Sequence, residues 1–137
     1  MSIIQTQTTS FKLELYSGVH NLSTNTLKVA LYTASADLNE DTTAYSATNE
    51  VTGTGYVAGG IALTGVTISS SDYTAFVNFN NAVFGASVTA RCALIYNVTQ
   101  GNKSIAVLDF GSDKTSSNFT IVMPATSASS ALIRSSN

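Results

Sequence analysis

Charge is the scarcest property of this 137-residue chain. Only 10% of its residues are charged, with six Lys and Arg against eight Asp and Glu, a net of −2. Nucleic-acid binding depends on clustered cations that replace the counterions of a phosphate track, and six scattered ones cannot form that cluster. There is a single cysteine, Cys92, so no intrachain disulfide can form. It lies between apolar residues and reads as a small buried hydrophobe rather than a reactive thiol. The only histidine, His20, lacks the further N and S ligands that a zinc site needs. No apolar run approaches the roughly 20 residues required to span a bilayer. No basic stretch followed by an apolar run opens the chain, so no secretory signal is expected.

What is abundant is hydroxyl. Ser and Thr supply roughly a quarter of the residues, above any ordinary background. A surface of hydroxyls and amides with few charges suits β structure and faces that meet other proteins. The length suits one domain with a real core. The expected organisation is an N-terminal arm over residues 1–10, whose Met1–Thr9 stretch reads either as an edge strand or as an extension onto a neighbouring subunit with Ile3 and Ile4 at the interface, and a single β-sandwich domain over residues 11–137.

The strongest local signal is the stretch from Val88 to Gly111. Thr89–Tyr96 and Lys103–Phe110 read as two strands, and Val98–Asn102, with Gly101, as the reversal between them. Both strands are apolar on both faces, whereas a half-solvated strand alternates apolar with polar. Either each face is covered within the chain, or one of them meets another protein. The face assigned to Ala93, Ile95, Ile105 and Val107 is the candidate for burial against a second copy.

The rest reads as strands and loops. Leu27, Val29 and Leu31 form the inward side of a half-buried strand, with Lys28, Ala30 and Tyr32 opposite. Residues 34–60 are a long aperiodic stretch, and loops of that length are usually functional. Ile61–Ser69 reads as a strand bulged at Gly65, followed by a turn at Ser69–Ser71. Tyr73, Ala75, Val77 and Phe79 then point inward, leaving Phe76 as an exposed aromatic. Phe119, Ile121 and Met123 alternate inward before Pro124 stops the strand, and Ala131–Arg134 reads as the last one. Phe11–Tyr16 is ambiguous. Alternation favours a strand, while Ser10 as N-cap and Gly18 as terminator favour a short helix. The sum is an all-β chain, a two-sheet antiparallel sandwich of jelly-roll type with at most one short N-terminal helix.

Motifs for chemistry fail on context. Gly53–Ala58, GTGYVA, spells a dinucleotide fingerprint, but a strand follows it rather than a helix. Asp37, Asn39 and Asp41 have calcium-loop spacing, but Thr42 and Thr48 stand where Gly and Glu belong. A cation on Asp37, Glu40, Asp41 or Glu50 is the minor alternative to a solvated acidic loop. No G-x-S-x-G turn accompanies His20, which reads as a local hydrogen-bonding residue. Asp109 reads as an edge or rim position. The sequons at Asn21, Asn97, Asn102 and Asn118 arise by chance in so Asn- and Ser-rich a chain. No enzyme, metal or cofactor is expected.

A resemblance carries the functional expectation further. Lys12, Gly18-Val19-His20-Asn21, Leu31-Tyr32-Thr33, Thr43-Ala44-Tyr45, Glu50-Val51, Gly53-x-Gly55-Tyr56, Gly59-Gly60, Arg91, Ile95-Tyr96 and Asp109-Phe110 occur here in that order. Over roughly residues 11–123 the chain resembles a group of small tailed-bacteriophage virion proteins, some similar to the jelly-roll cement, or decoration, proteins of HK97-type capsids. The resemblance favours the helix at 11–16. It implies a structural protein made in the host cytoplasm and carried on the capsid surface. Its partners would be the major capsid protein, across subunit junctions, and further copies of itself, as a dimer or else a trimer. A tail or fibre component binding host glycan through Tyr45 and Tyr56 is the alternative, and a small hydrolase the third reading.

Overall fold

The hairpin forms where its apolar residues place it, but its second strand is longer. In the computed structural model, which describes residues 2–136, the elements in chain order are β1 (Thr6–Gln7), α1 (Thr9–Tyr16), β2 (Leu27–Tyr32), β3 (Ile61–Ala62), β4 (Thr67–Ser71), β5 (Thr74–Asn78), β6 (Ala82–Val83), β7 (Val88–Asn97), β8 (Lys103–Ser116), β9 (Thr120–Ile121) and β10 (Ile133–Ser135). The outer ends of the expected 1–10 and 11–137 units, Met1 and Asn137, fall outside the described residues. Strands and isolated bridges make up 42% of the chain, and the paired strands are antiparallel, so the all-β expectation holds at that level.

β7 and β8 lie at the centre of a five-stranded sheet ordered β1-β8-β7-β2-β3. Gly101 and Asn102 both take positive φ in the turn, and the Asn102 N–H returns to the Asn97 carbonyl at 2.9 Å. Both faces of the hairpin are covered within the chain. One face packs with Phe11 of α1, Phe79, Phe84, Phe119 and Ile133. The other packs under Ala36 and Leu38, with Ile3 and Tyr45 against it.

Ala93, Ile95, Ile105 and Val107 are therefore fully buried, and they do not share a face. The ladder runs Ile95↔Ala106 and then Tyr96↔Ser104, which leaves Ile105 as an extra residue on β8. A one-residue bulge inverts the inward and outward sense of the strand beyond it. Leu94 and Val107 consequently lie on one side, and Ala93, Ile95, Ile105 and Ala106 on the other. The expected self-association face is thus split between two interior layers. β2 is central as well, so Ala30 and Tyr32, expected outward, are buried.

Phe11–Tyr16 is helical, as part of α1. Thr8, not Ser10, is its N-cap, accepting the Phe11 N–H at 3.3 Å, and Gly18 at φ +76° follows the C-cap Ser17. Helix wins over strand because the cap is met and Phe11 alone has to be buried. Residues 2–8 do not extend away from the domain. Ile3 bridges Leu38, and Thr6–Gln7 pairs with Val107–Ala106. Ile3 is half-buried there and Ile4 is exposed.

Gly65 does more than bulge a strand. Between β3 and β4, at φ +64°, it carries the chain from the five-stranded sheet to a three-stranded one ordered β10-β5-β4. A side chain there would collide with Asn80. Ser69–Ser71 is strand, not turn. The reversal is Asp72–Tyr73, both at positive φ, which puts Tyr73 in solvent rather than inward. Phe76 is buried at 7% exposure, contrary to the exposed position expected of it. Asn78, on the same face two residues on, donates to Pro124 O at 2.7 Å and Thr126 Oγ1 at 3.0 Å, so the segment after β9 crosses this face. A short sheet, β6 with β9, completes the elements, and Phe119, Ile121 and Met123 point inward as expected.

Candidate functional site

Many of the residues that carry the resemblance fall into three clusters. The largest centres on Glu50, which lies beside the end of β2. The Val51 N–H donates to Leu31 O at 3.0 Å and the Thr33 N–H to Asn49 O at 2.9 Å, docking the long loop on that strand. From there the Glu50 carboxylate accepts three hydrogen bonds. Tyr45 Oη donates at 2.6 Å, Tyr56 Oη at 2.5 Å and the Gly59 N–H at 2.8 Å. Tyr56 Oη also accepts the Leu31 N–H at 3.0 Å. Tyr96 Oη donates to Gly59 O at 2.5 Å, and Tyr32 Oη to Ser46 O at 2.7 Å. The Tyr45 ring stacks on Tyr96 with centroids 4.7 Å apart, and Tyr56 lies against Phe84.

Four tyrosines thus tie residues 45–59 to β2 and β7. Burial pushes all four phenols up, and the Glu50 charge adds to that, since a second negative charge beside it is disfavoured. Tyr96 is pushed up to about 12. The glycines of this stretch serve close packing. Gly60, at φ +81°, lies so near the Val29 carbonyl that any side chain would overlap it. Within the dinucleotide spelling, Gly53 and Gly55 lie against the Ser87 and Gly85 carbonyls and Thr54 bridges Ser87, so GTGYVA describes a close backbone crossing beside the start of β7. Tyr45 and Tyr56, expected as a sugar platform, have their hydroxyls on Glu50 and their rings packed on other aromatics.

The second cluster locks α1 to the sheet. His20 accepts from Asn97 Nδ2 at its Nδ1, 2.9 Å, so its Nε2 carries the hydrogen offered to Glu14 Oε1, also at 2.9 Å. Asn97 Nδ2 also donates to Asn25 Oδ1 at 2.9 Å, and Phe11 packs 5.1 Å from the imidazole. His20 is buried, and both ring nitrogens are held by side chains other than a serine. The third cluster is the Arg91–Asp109 ion pair. It stitches the place where β8 carries extra residues between Asp109 and Lys114. The Gly111 N–H, at 2.8 Å, and the Arg91 guanidinium hold the Asp109 carboxyl below its usual range.

The acidic loop is tied up locally. Asp37 Oδ1 accepts from Ser2 N and Asn39 Nδ2, and Asn39 Oδ1 from Asp41 N, at 2.9–3.1 Å. Among the described residues no three His, Cys, Asp or Glu side chains converge to hold a metal. Cys92 is fully buried, and burial pushes its thiol up to about 11.

Apart from Val57 in the long loop, most of the exposed apolar surface lies elsewhere, and sequence reasoning missed it. Leu13 and Tyr16 stand outward on α1, Val83 on β6, and Val122 just beyond the end of β9. Ile68 is 53% exposed on β4, and Tyr73 is fully exposed at the β4–β5 tip. An open, largely apolar cleft of about 380 Å³ runs between α1 and the three-stranded sheet, lined by Phe11, Leu15, Leu22, Ile68, Val77 and Ile133. The signal for Tyr73 was its neighbour Asp72, a turn former; the helical spacing of Leu13 and Tyr16 was the signal for α1.

No protein-family profile, curated protein or solved structure matches the chain.

Proposed function

We propose that this chain is a non-enzymatic structural protein of a tailed-phage virion, a cement protein that binds the major capsid protein across subunit junctions and stiffens the shell. The fold we assign is a two-sheet sandwich of jelly-roll type, with the five-stranded sheet as one layer and the shorter sheets, over the Phe11–Phe119 core, as the other.

The observation that carries the reading is where the resemblance residues lie. Tyr45, Glu50, Tyr56, Gly59, Tyr96, His20, Arg91 and Asp109 join one segment to another and line no common cleft. They hold a loop, a helix and an irregular strand rigid, which is what a protein working by binding needs. A protein that binds only the assembled shell stabilises it by mass action. A surface poor in charge, with isolated apolar side chains such as Leu13, Val83 and Val122, suits a polar interface with a few anchors.

The test is co-sedimentation of the purified protein with capsids assembled from the major capsid protein. Saturable binding at a fixed ratio to shell subunits, with a raised capsid melting temperature, is expected. No binding to mature shells refutes the reading.

A further inference from the structure

The three-stranded sheet ends on an edge that no other strand covers among the described residues. β4 is its outer strand, and all five residues from Thr67 to Ser71 are exposed. The two-residue turn makes Ser71 and Thr74 a hydrogen-bonded pair, so bonds to β5 come from Thr67, Ser69 and Ser71. The N–H and C=O groups of Ile68 and Ser70 therefore point to the open edge. Neither residue makes a main-chain bond outside the sheet among the described residues.

Edges of this kind are normally blocked by charge, proline, a bulge or brevity. β4 has none of these devices. From Ile61 to Ser71 there is no charged residue and no proline. The outer strands of the five-stranded sheet, β1 and β3, are two residues each, and β10, at the other side of its own sheet, carries Arg134. The apolar cleft opens at the same place. Ile68 and Val77 are cross-strand partners, as are Val77 and Ile133, and this row leads from the open edge to the cleft under α1.

We propose that β4 pairs antiparallel with β4 of a second copy across a two-fold axis at Ile68, joining two three-stranded sheets into one of six. In this register Ile68 faces Ile68 of the second copy, and Val66 faces Ser70 on either side. Asp72, the first charge, falls opposite Thr64, so no like charges meet. A self-complementary, uncharged edge beside an apolar row favours this occupant over a charged or helical one. Each Ile68 gains an apolar neighbour at the cleft mouth, and the Ile68 and Ser70 amides gain partners. The inference stands apart from the virion reading, since a monomeric protein overturns it and leaves that reading intact.

The test is sedimentation equilibrium of the full chain together with amide exchange. The expected mass is twice 14.3 kDa. The Ile68 and Ser70 amides should exchange more slowly by over about tenfold than in a monomeric variant. Ile68→Lys, which sets like charges face to face, and Ser70→Pro, which removes an outward donor, should both give monomers with unchanged far-UV circular dichroism. Val122→Lys, just beyond the end of β9, should remain dimeric. If Ser70→Pro misfolds, Ile68→Lys decides, because that side chain is already half in solvent. A wild-type monomer at high micromolar concentration overturns the proposal. So does a dimer with freely exchanging Ile68 and Ser70 amides, or one that survives Ile68→Lys.

Discussion

Replacing Glu50 with alanine should release the long loop while leaving the hairpin core folded. The carboxylate accepts three hydrogen bonds, from Tyr45 Oη, Tyr56 Oη and the Gly59 N–H. A bond to a charged acceptor contributes about 1.5–3 kcal/mol when buried. Glu50 is half-exposed, so water replaces part of each bond and about 1 kcal/mol apiece is the fairer figure. The sum is about 3 kcal/mol, which for a domain of this size lowers the melting temperature by about 10 °C. Tyr45→Phe removes one donor and should cost about 1 kcal/mol, whereas Tyr56→Phe should cost more, about 2–3 kcal/mol, because it also leaves the buried Leu31 N–H without its acceptor. Because they share one acceptor, the double variant should deviate from additivity. The assay is urea unfolding with amide exchange of Gly59, whose protection should fall in Glu50→Ala. A Glu50→Ala unfolding free energy within about 0.5 kcal/mol of wild type would refute the reasoning, since that is the usual effect of a surface change without partners. So would a loss of stability that leaves the Gly59 amide protected.

Ile95→Asp should abolish folding rather than dissociate an oligomer, because Ile95 is fully buried between layers and an unpaired interior carboxylate costs more than about 4 kcal/mol; a soluble, folded variant contradicts the placement. Asp109→Asn should show a pH-dependent deficit. The folded-state carboxyl is held below its unfolded range by the Gly111 N–H and by Arg91, so its contribution is present above the unfolded range and disappears as pH falls through the folded value. Wild type and variant should therefore differ in melting temperature at neutral pH and converge in acid; a gap unchanged with pH argues against it. Cys92 should resist a disulfide-exchange reagent at neutral pH in the native protein and react once urea unfolds it, since the buried thiol is pushed up to about 11.

The hairpin was legible because it obeys the period of a strand and lacks a polar face, which left only two explanations. The bulge at Ile105 was not. Nothing in LDF or SIAV marks an extra residue, yet it decides which of Ile105, Ala106 and Val107 share a face. Phe11–Tyr16 satisfied both periods, and capping by Thr8 decided it. Gly65 was visible as a break, but whether it bulges a strand or switches sheets depends on distant pairing with β2 and β5. The Glu50 cluster was invisible for a similar reason. Its members follow no repeat, and Tyr96 is far along the chain. Tyr45 and Tyr56 looked like free aromatics in a loop, whereas tertiary hydrogen bonding had already engaged them. Phe76 looked exposed because Thr74 and Asn78 flank it, but Asn78 is itself buried and bonded to the segment that crosses above.

The central claim is a shell-stabilising role in the virion, and copy number tests it most directly. Quantitative mass spectrometry of purified particles gives the ratio of this chain to the major capsid protein. A ratio comparable to the shell subunit is the expected result. A count of only a few to a few dozen per particle would contradict it and place the protein at the tail or a vertex. Absence from the particle would remove the virion assignment altogether.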